Sequence, residues 1–260
     1  LQRIGVFDSG IGGLTVLHRL RSAFPALDMI YLGDLARVPY GGCRPETIVR
    51  YAVEDVDFLL RRGVEAVVIA CGTVSATALD ALRRRCSLPV YGVIDSAARS
   101  AAAHTRTGNV GVIGTQATVE SGAYARRITA LAPALRVIEQ ACPRIVPLAE
   151  MGLGPDDPRV WEVCREYLAA FEGKNVDTLV MGCTHYPLFR SVFEELLPEA
   201  EMIDVGQALA EDLEKELAPV GGSGRTEYYV TARSAAFAAV VGHIDPGVDP
   251  AAIRLAGIRE

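Results

Sequence analysis

Val68-Ile69-Ala70-Cys71-Gly72-Thr73 and Val180-Met181-Gly182-Cys183-Thr184-His185 follow one plan: an apolar run, rich in β-branched residues, ends in a cysteine and turns through small or polar residues. Runs apolar at every position suit strands covered on both faces, as in a parallel sheet. The two cysteines are 112 positions apart. A second pair, Ile4-Gly5-Val6-Phe7-Asp8-Ser9 and Val110-Gly111-Val112-Ile113-Gly114-Thr115, repeats with an offset of 106 when Gly5 is matched to Gly111. Duplication of an α/β unit accounts for both echoes, and so does chance similarity between buried strands.

Outward from these runs, strand-like segments alternate with amphipathic ones, the signature of strands joined by crossover helices. Strands are expected at Ile4 to Phe7, Met29 to Leu32, Val64 to Ala70, Pro89 to Val93, Val110 to Ile113, Arg136 to Glu139, Thr178 to Met181 and Tyr228 to Val230. The clearest helix opens at Pro45, sets Ile48, Ala52, Val56 and Leu59 along one face and stops at Gly63. Asp157 before Pro158 opens another, running to about Phe171 with Gly173 as its stop.

Half of the 260 residues are hydrophobic and 22% are charged, ample for a folded core. A formal charge of −6 argues against nucleic acid or an anionic membrane as the main partner. The uncharged stretch from Ala66 to Leu79 is too short for a bilayer span. Arg3-Ile4-Gly5-Val6-Phe7 reads as a strand and not as a signal region, so a cytoplasmic location is expected. The six cysteines, at 43, 71, 86, 142, 164 and 183, lack the density of a secreted disulfide scaffold, and free thiols are expected.

Ligands in open α/β sheets bind beyond the carboxyl ends of strands, where Asp8, Cys71 and Cys183 all fall. Reading a cysteine as a small buried hydrophobe suits Cys86, Cys142 and Cys164. It explains poorly why two cysteines each end a core strand. A thiol facing a helix N-terminus is expected to have a lowered pKa. Two such thiols, one from each half, suit stereoinversion at a carbon acid: one removes the α-proton from one face and the other delivers a proton to the opposite face.

Asp8 in Asp8-Ser9-Gly10-Ile11-Gly12-Gly13 is either a group that binds an ammonium or assists a thiol, or simply a turn cap. Gly10, Gly12 and Asp34 also stand roughly where a dinucleotide fingerprint places its residues, but Thr15 takes the third glycine's place. His185 is either structural or a partner of Cys183. A zinc site from Cys71, Cys183 and His185 lacks paired-ligand spacing.

Taken together, Gly5 to Val16, Val38-Pro39-Tyr40-Gly41, Cys71-Gly72-Thr73 and Gly182-Cys183-Thr184-His185-Tyr186-Pro187 resemble the glutamate racemases of the aspartate/glutamate racemase superfamily. Gly111 to Thr115, Ser121-Gly122-Ala123-Tyr124 and Gln140-Ala141-Cys142-Pro143 extend the likeness over nearly the whole chain.

The resemblance implies an isomerase that interconverts L- and D-glutamate without cofactor or metal and supplies D-glutamate for peptidoglycan. It implies an α/β fold of two pseudo-symmetric domains, each a mainly parallel sheet flanked by helices, with the active site in the cleft between them. Residues 1–95 with 207–260 would form the first domain, carrying Asp8 and Cys71, and 96–206 the second, carrying Cys183 and His185. Carried over, Cys71 and Cys183 are the catalytic pair, with Asp8 and His185 assisting. Ser9, Tyr40, Gly41, Thr73 and Thr184, with Asp8 and His185, contact the substrate, and Glu150 is a further acid near the second thiol. The partner implied is an acidic amino acid, and a homodimer is expected on general grounds.

One position departs from the family. Gly72, which belongs to the substrate-binding loop, stands where an asparagine is usual, so an amide that could hold the substrate is missing. Val93-Ile94-Asp95-Ser96 also replaces a more usual Glu-Pro. A racemase for another acidic amino acid such as aspartate, a non-catalytic amino-acid-binding module and a nucleotide-dependent oxidoreductase are the competing readings.

Overall fold

The computed structural model describes residues 1–217, 221–245 and 247–258. Its strands are β1 (Arg3–Asp8), β2 (Asp28–Gly33), β3 (Ala66–Ile69), β4 (Val90–Gly92), β5 (Asn109–Gly114), β6 (Arg136–Ala141), β7 (Thr178–Met181), β8 (Glu201–Asp204), β9 (Thr226–Val230) and β10 (Arg254–Leu255). They form two sheets, ordered β10-β9-β2-β1-β3-β4 and β6-β5-β7-β8. Every pairing between them is parallel.

All eight expected strands are present, some trimmed or lengthened at their ends. The approach to β3 shortens to Ala66, and Val93 leaves its strand to start the helix Val93–His104. Two strands went unread. In β8 only Met202 and Ile203 separate Glu201 from Asp204, and β10 is two residues at a sheet edge.

The order β2-β1-β3-β4 in one sheet matches β6-β5-β7-β8 in the other, with β1 equivalent to β5 and β3 to β7. These are the strands of the two sequence echoes. In register, Val6 lies between Tyr31 and Val68, and Val112 between Glu139 and Val180. β1, β3, β5 and β7 are thus interior strands, and both faces of their sheets are covered by apolar cores, which is why their middle residues are apolar.

The helices obey their sequence signals. Pro45–Leu60 buries Ile48, Ala52, Val56 and Leu59, and Gly63 follows in a left-handed conformation at φ 72°. Pro158–Leu168 is capped by the Asp157 carboxylate, which accepts the amide of Arg159, and Gly173 ends the segment at φ 67°.

After β4 the chain passes through Val93–His104 into the second sheet, and after β8 it returns through Val205–Glu216 to β9. These two helices pack on each other, and Val205–Glu216 also packs on Gly13–Ala23. Together they help form a middle core in which Leu17, Ala97 and Leu209 meet Val6 of the first sheet and Val112 of the second. Separate cores cover the outer faces: Phe7 and Ile69 on the first sheet, Ile113 and Met181 on the second. The strand ends of both sheets are thereby presented to one another. Among the described residues, no helix is long and apolar enough to cross a membrane.

Candidate active site

Beyond the carboxyl ends of β1, β3, β5 and β7 lies a cavity of about 180 Å³. This is room for a small amino acid, given that water takes about 30 Å³. Cys71 reaches it from the turn after β3 and Thr73 from the first turn of the helix that follows, Ser9 from the loop after β1, and Cys183, Thr184 and His185 from the loop after β7. Tyr40, Gly41 and their neighbours Val38, Pro39 and Gly42 form another wall. The two thiols therefore enter one cavity from topologically equivalent positions on the two sheets.

Asp8, Glu150 and Gly72 are not among the lining residues but stand behind them. Asp8 is fully buried. Its Oδ1 accepts the Gly10 amide at 2.8 Å and its Oδ2 accepts the Thr184 hydroxyl at 3.1 Å, so the turn-cap reading holds and the carboxylate also ties the two sheets together. Burial raises its pKa, opposed chiefly by the charge of His185. A second tie runs from the Thr15 hydroxyl to the Thr184 carbonyl, 3.0 Å.

Cys71 occupies the cap position of the short helix Gly72–Thr77, and its Sγ lies 3.4 Å from the Ser9 hydroxyl. The expected lowering of its pKa is overturned: burial, reinforced by the Asp8 carboxylate, pushes the thiol up to about 12. The helix has six residues and Cys71 is 4% exposed, so the helix dipole is outweighed by the cost of a buried ion.

On the other side, Cys183 Sγ lies 3.7 Å from His185 Nδ1, and His185 Nε2 lies 2.6 Å from Glu150 Oε1. The same Glu150 oxygen accepts the Ile11 amide at 3.1 Å. Burial by itself would lower the His185 pKa. Its hydrogen bonds to Cys183 and Glu150, with the charges of Cys183 and Asp8, raise it instead to about 10. Burial likewise works to raise the Glu150 pKa, but its bond to His185 leaves it lowered. The second thiol thus has a cation beside it, and the first has an anion.

Thr73 and Thr115 share a hydrogen bond of 2.9 Å across the two sheets, and Thr115 and Gln116 also line the cavity. Neither Thr115 nor Gln116 was singled out in the sequence. The signal for Thr115 was there, because it is the counterpart of Ser9 in the 106-residue echo. Tyr40 forms part of the wall, but its hydroxyl is engaged behind it in a bond with the buried Asp34. What the Tyr40–Gly42 turn can offer a ligand is therefore ring face and backbone.

Gly72 has a different role from the one its missing amide suggested. A Cβ at this position would run into the carbonyl oxygen of Gly182. The loops that carry the two cysteines touch here, backbone to backbone.

The dinucleotide reading fails on packing. Gly12 abuts the side chains of Thr184 and His185, leaving no space for a pyrophosphate, and Asp34 is fully buried against Arg37 and Thr231. Among the described residues, no three His, Cys, Asp or Glu side chains converge as a metal-ligand set.

Two thiols stand at equivalent strand ends of paired parallel sheets and open on one small cavity, a fold and site shared with amino-acid racemases. The chain belongs to the Asp/Glu/Hydantoin racemase family, whose sequence pattern matches residues 4–213. Within it, the similarity is to glutamate racemases. The glutamate racemase of Geobacter metallireducens is 46% identical over 243 residues, 91% of this chain and 90% of the relative. The crystal structure of the Thermus thermophilus glutamate racemase in complex with β-chloro-D-alanine superposes with a TM-score of 0.83 at 42% identity, covering 98% of this chain and 96% of that one. The Francisella tularensis enzyme in complex with D-glutamate gives a TM-score of 0.87 at 34% identity, over 98% and 96%.

Proposed function

We propose that the protein interconverts L- and D-glutamate, with Cys71 and Cys183 exchanging protons at the α-carbon from opposite faces. The observation that carries this reading is that the two thiols, one from each sheet, open on a single cavity sized for an amino acid. A lone base tends to return the proton to the face it came from, whereas two bases allow inversion.

In this reading the two thiols are activated differently. His185, held as a cation by Glu150, lies beside the Cys183 sulfur and is the group placed to assist that thiol's proton transfer. Cys71 then enters as the protonated partner, the state its burial favours, and Ser9 supports its thiolate after it has given up its proton. When the substrate is the other enantiomer the roles reverse, and Asp8, beside Cys71, is the group placed to assist. Ser9, Thr73 and Thr184, with the Tyr40–Gly41 backbone, hold the carboxylates and ammonium, and Thr115 joins them as a hydroxyl from the second sheet. No step draws on a cofactor. The product D-glutamate serves peptidoglycan synthesis, in keeping with a cytoplasmic enzyme.

Residues 1–95 with 207–260, and 96–206, act as the two domains whose junction forms the cleft. A homodimer completes the proposal, checked by light scattering of the purified protein.

The test of the function follows L-glutamate and L-aspartate in deuterated water by NMR and polarimetry, with no cofactor added. Deuterium uptake at the α-carbon with loss of rotation for glutamate is the expected result. Exchange on aspartate alone would move the specificity, and exchange on neither would sink the proposal.

A further inference from the structure

Behind the Val38–Gly42 wall of the cavity lies a buried ionic cluster that no part of the reaction uses. Asp34 and Asp55 are both fully buried, and the Arg37 side chain is 7% exposed between them. Arg37 Nε donates to Asp34 Oδ2 at 2.6 Å, its Nη2 donates to Asp55 Oδ1 at 3.0 Å, and its Nη1 pairs with Glu54 at the surface. The guanidinium also lies 4.2 Å from the ring centre of Tyr51, which packs against Tyr40. Asp34 Oδ1 accepts the Thr231 hydroxyl at 2.7 Å, and the Asp34 amide donates to the carbonyl of Asp8 at 2.9 Å.

The Tyr40 hydroxyl sits between the two carboxylates. It donates to Asp34 Oδ2, and Asp55 Oδ2 lies 3.1 Å from the same oxygen. A phenol has one proton, so it cannot donate to both. If Asp55 were ionised, one contact would set a phenol oxygen's lone pairs against a buried carboxylate, with a single guanidinium facing two buried anions. One proton on Asp55 Oδ2 removes both conflicts: Asp55 donates to Tyr40, Tyr40 donates to Asp34, and the buried charges balance. Burial, together with the charge of Asp34, indeed pushes the Asp55 carboxyl well above the ordinary carboxylate range.

We infer that Asp34, Arg37 and a protonated Asp55 form a positioning cluster that fixes the Tyr40–Gly42 wall against the second sheet and thereby sets how tightly the cavity holds its substrate. The cluster grips the wall at Tyr40. One residue on, Gly41 lies against the Thr115 side chain, so closely that a Cβ there would come within 2.7 Å of the Thr115 Cβ. A shift of the wall therefore reaches Thr115, and through it Thr73. The roles of the two acids are unequal. Asp34 accepts three donors and gives to none, whereas Asp55 accepts from Arg37 and donates to Tyr40, as an asparagine amide also can.

This inference rests on the racemase reading for its kinetic test but not for its spectroscopic one. In kinetics, Asp34→Asn is expected to raise KM for glutamate about tenfold more than Asp55→Asn does, with kcat changed less than KM in both. Tyr40→Phe, which keeps the ring and deletes both bonds, is expected to raise KM about tenfold. In infrared spectra at neutral pH, the wild type is expected to show a protonated-carboxyl C=O band that is lost in Asp55→Asn and shifted in Tyr40→Phe. Equal damage from the two asparagine variants, or no band assignable to Asp55, would overturn the proton assignment. A Tyr40→Phe enzyme with wild-type KM would overturn the positioning role, and it serves as the control should Asp34→Asn fail to fold. A wild type inactive on glutamate but showing the Asp55 band would count against the proposed function and not against the cluster.

Discussion

Replacing Gly72 with alanine would drive a methyl group into the carbonyl oxygen of Gly182, between the loops that carry Cys71 and Cys183. A carbon and a carbonyl oxygen settle no closer than about 3.3 Å, so the two loops would have to part by about 1 Å. The atom in the way is backbone, which cannot rotate aside as a side-chain tip would. Overpacking of this kind costs about 1–3 kcal/mol. For a chain of this size each kcal/mol lowers Tm by about 2–4 °C. The larger effect falls on rate, since a misplacement of about 1 Å between reacting groups can cost about 10²-fold. The variant would be melted and then assayed for α-proton exchange and racemisation from both enantiomers. The expected outcome is a modest fall in Tm with a fall in kcat of about 10²-fold. Gly72→Asn carries the same Cβ and is expected to do no better, despite supplying the amide usual in the family. Wild-type Tm and rates in Gly72→Ala would refute the close-approach argument, and a lowered Tm with intact rates would refute the link between loop spacing and catalysis.

Cys71→Ser and Cys183→Ser are each expected to lower racemisation by about 10²–10⁴-fold while keeping the wild-type circular dichroism spectrum, because each removes one proton-transfer partner; full activity in either would end the two-thiol mechanism. His185 binds its proton more tightly in the folded chain, at about 10 against 6.5 for a free imidazole. Its contribution to stability is therefore complete below about pH 6.5 and lost as the pH rises through about 10. Glu150→Gln removes the carboxylate that helps to hold that proton, so the His185 imidazole is expected to titrate lower by NMR and the alkaline loss of Tm to begin at lower pH. Ser9→Ala takes away the hydrogen bond that favours the Cys71 thiolate and should raise that thiol's pKa further. The direction of catalysis that needs Cys71 as base is then expected to gain activity only at higher pH, read from kcat/KM profiles for the two enantiomers measured separately.

Much of the fold was legible from local signals. Pro45 and Gly63, or Asp157 and Gly173, mark helix ends through backbone preferences that act wherever the residue sits. Continuous apolar runs such as Val67 to Ala70 mark strands covered on both faces. β8 escaped because two apolar residues between charges make no pattern, and β10 because a two-residue edge strand exists only through its pairing with β9. Sequence alone also pointed to the two cysteines, through a repeated strand-then-turn plan and the rule that loops at strand carboxyl ends carry sites. Ser9, Thr73 and Thr184 were suggested only by the resemblance to the racemase family, and His185 by its place two residues after Cys183.

What tertiary structure alone decided are properties that depend on neighbours distant in the chain. The pKa of Cys71 was expected to fall and instead rises, because burial and Asp8 outweigh a helix of six residues. Asp34, suggestive of a ribose contact when read in line, lies buried beside Tyr40 and Asp55. Gly72, marked in the sequence by a missing amide, proves to be where the two cysteine loops meet. Composition and periodicity report what each residue does to its own stretch of backbone. Proton affinity, charge balance and the distance between two loops are set by which groups the packed sheets bring within a few ångströms, and a linear pattern does not encode that.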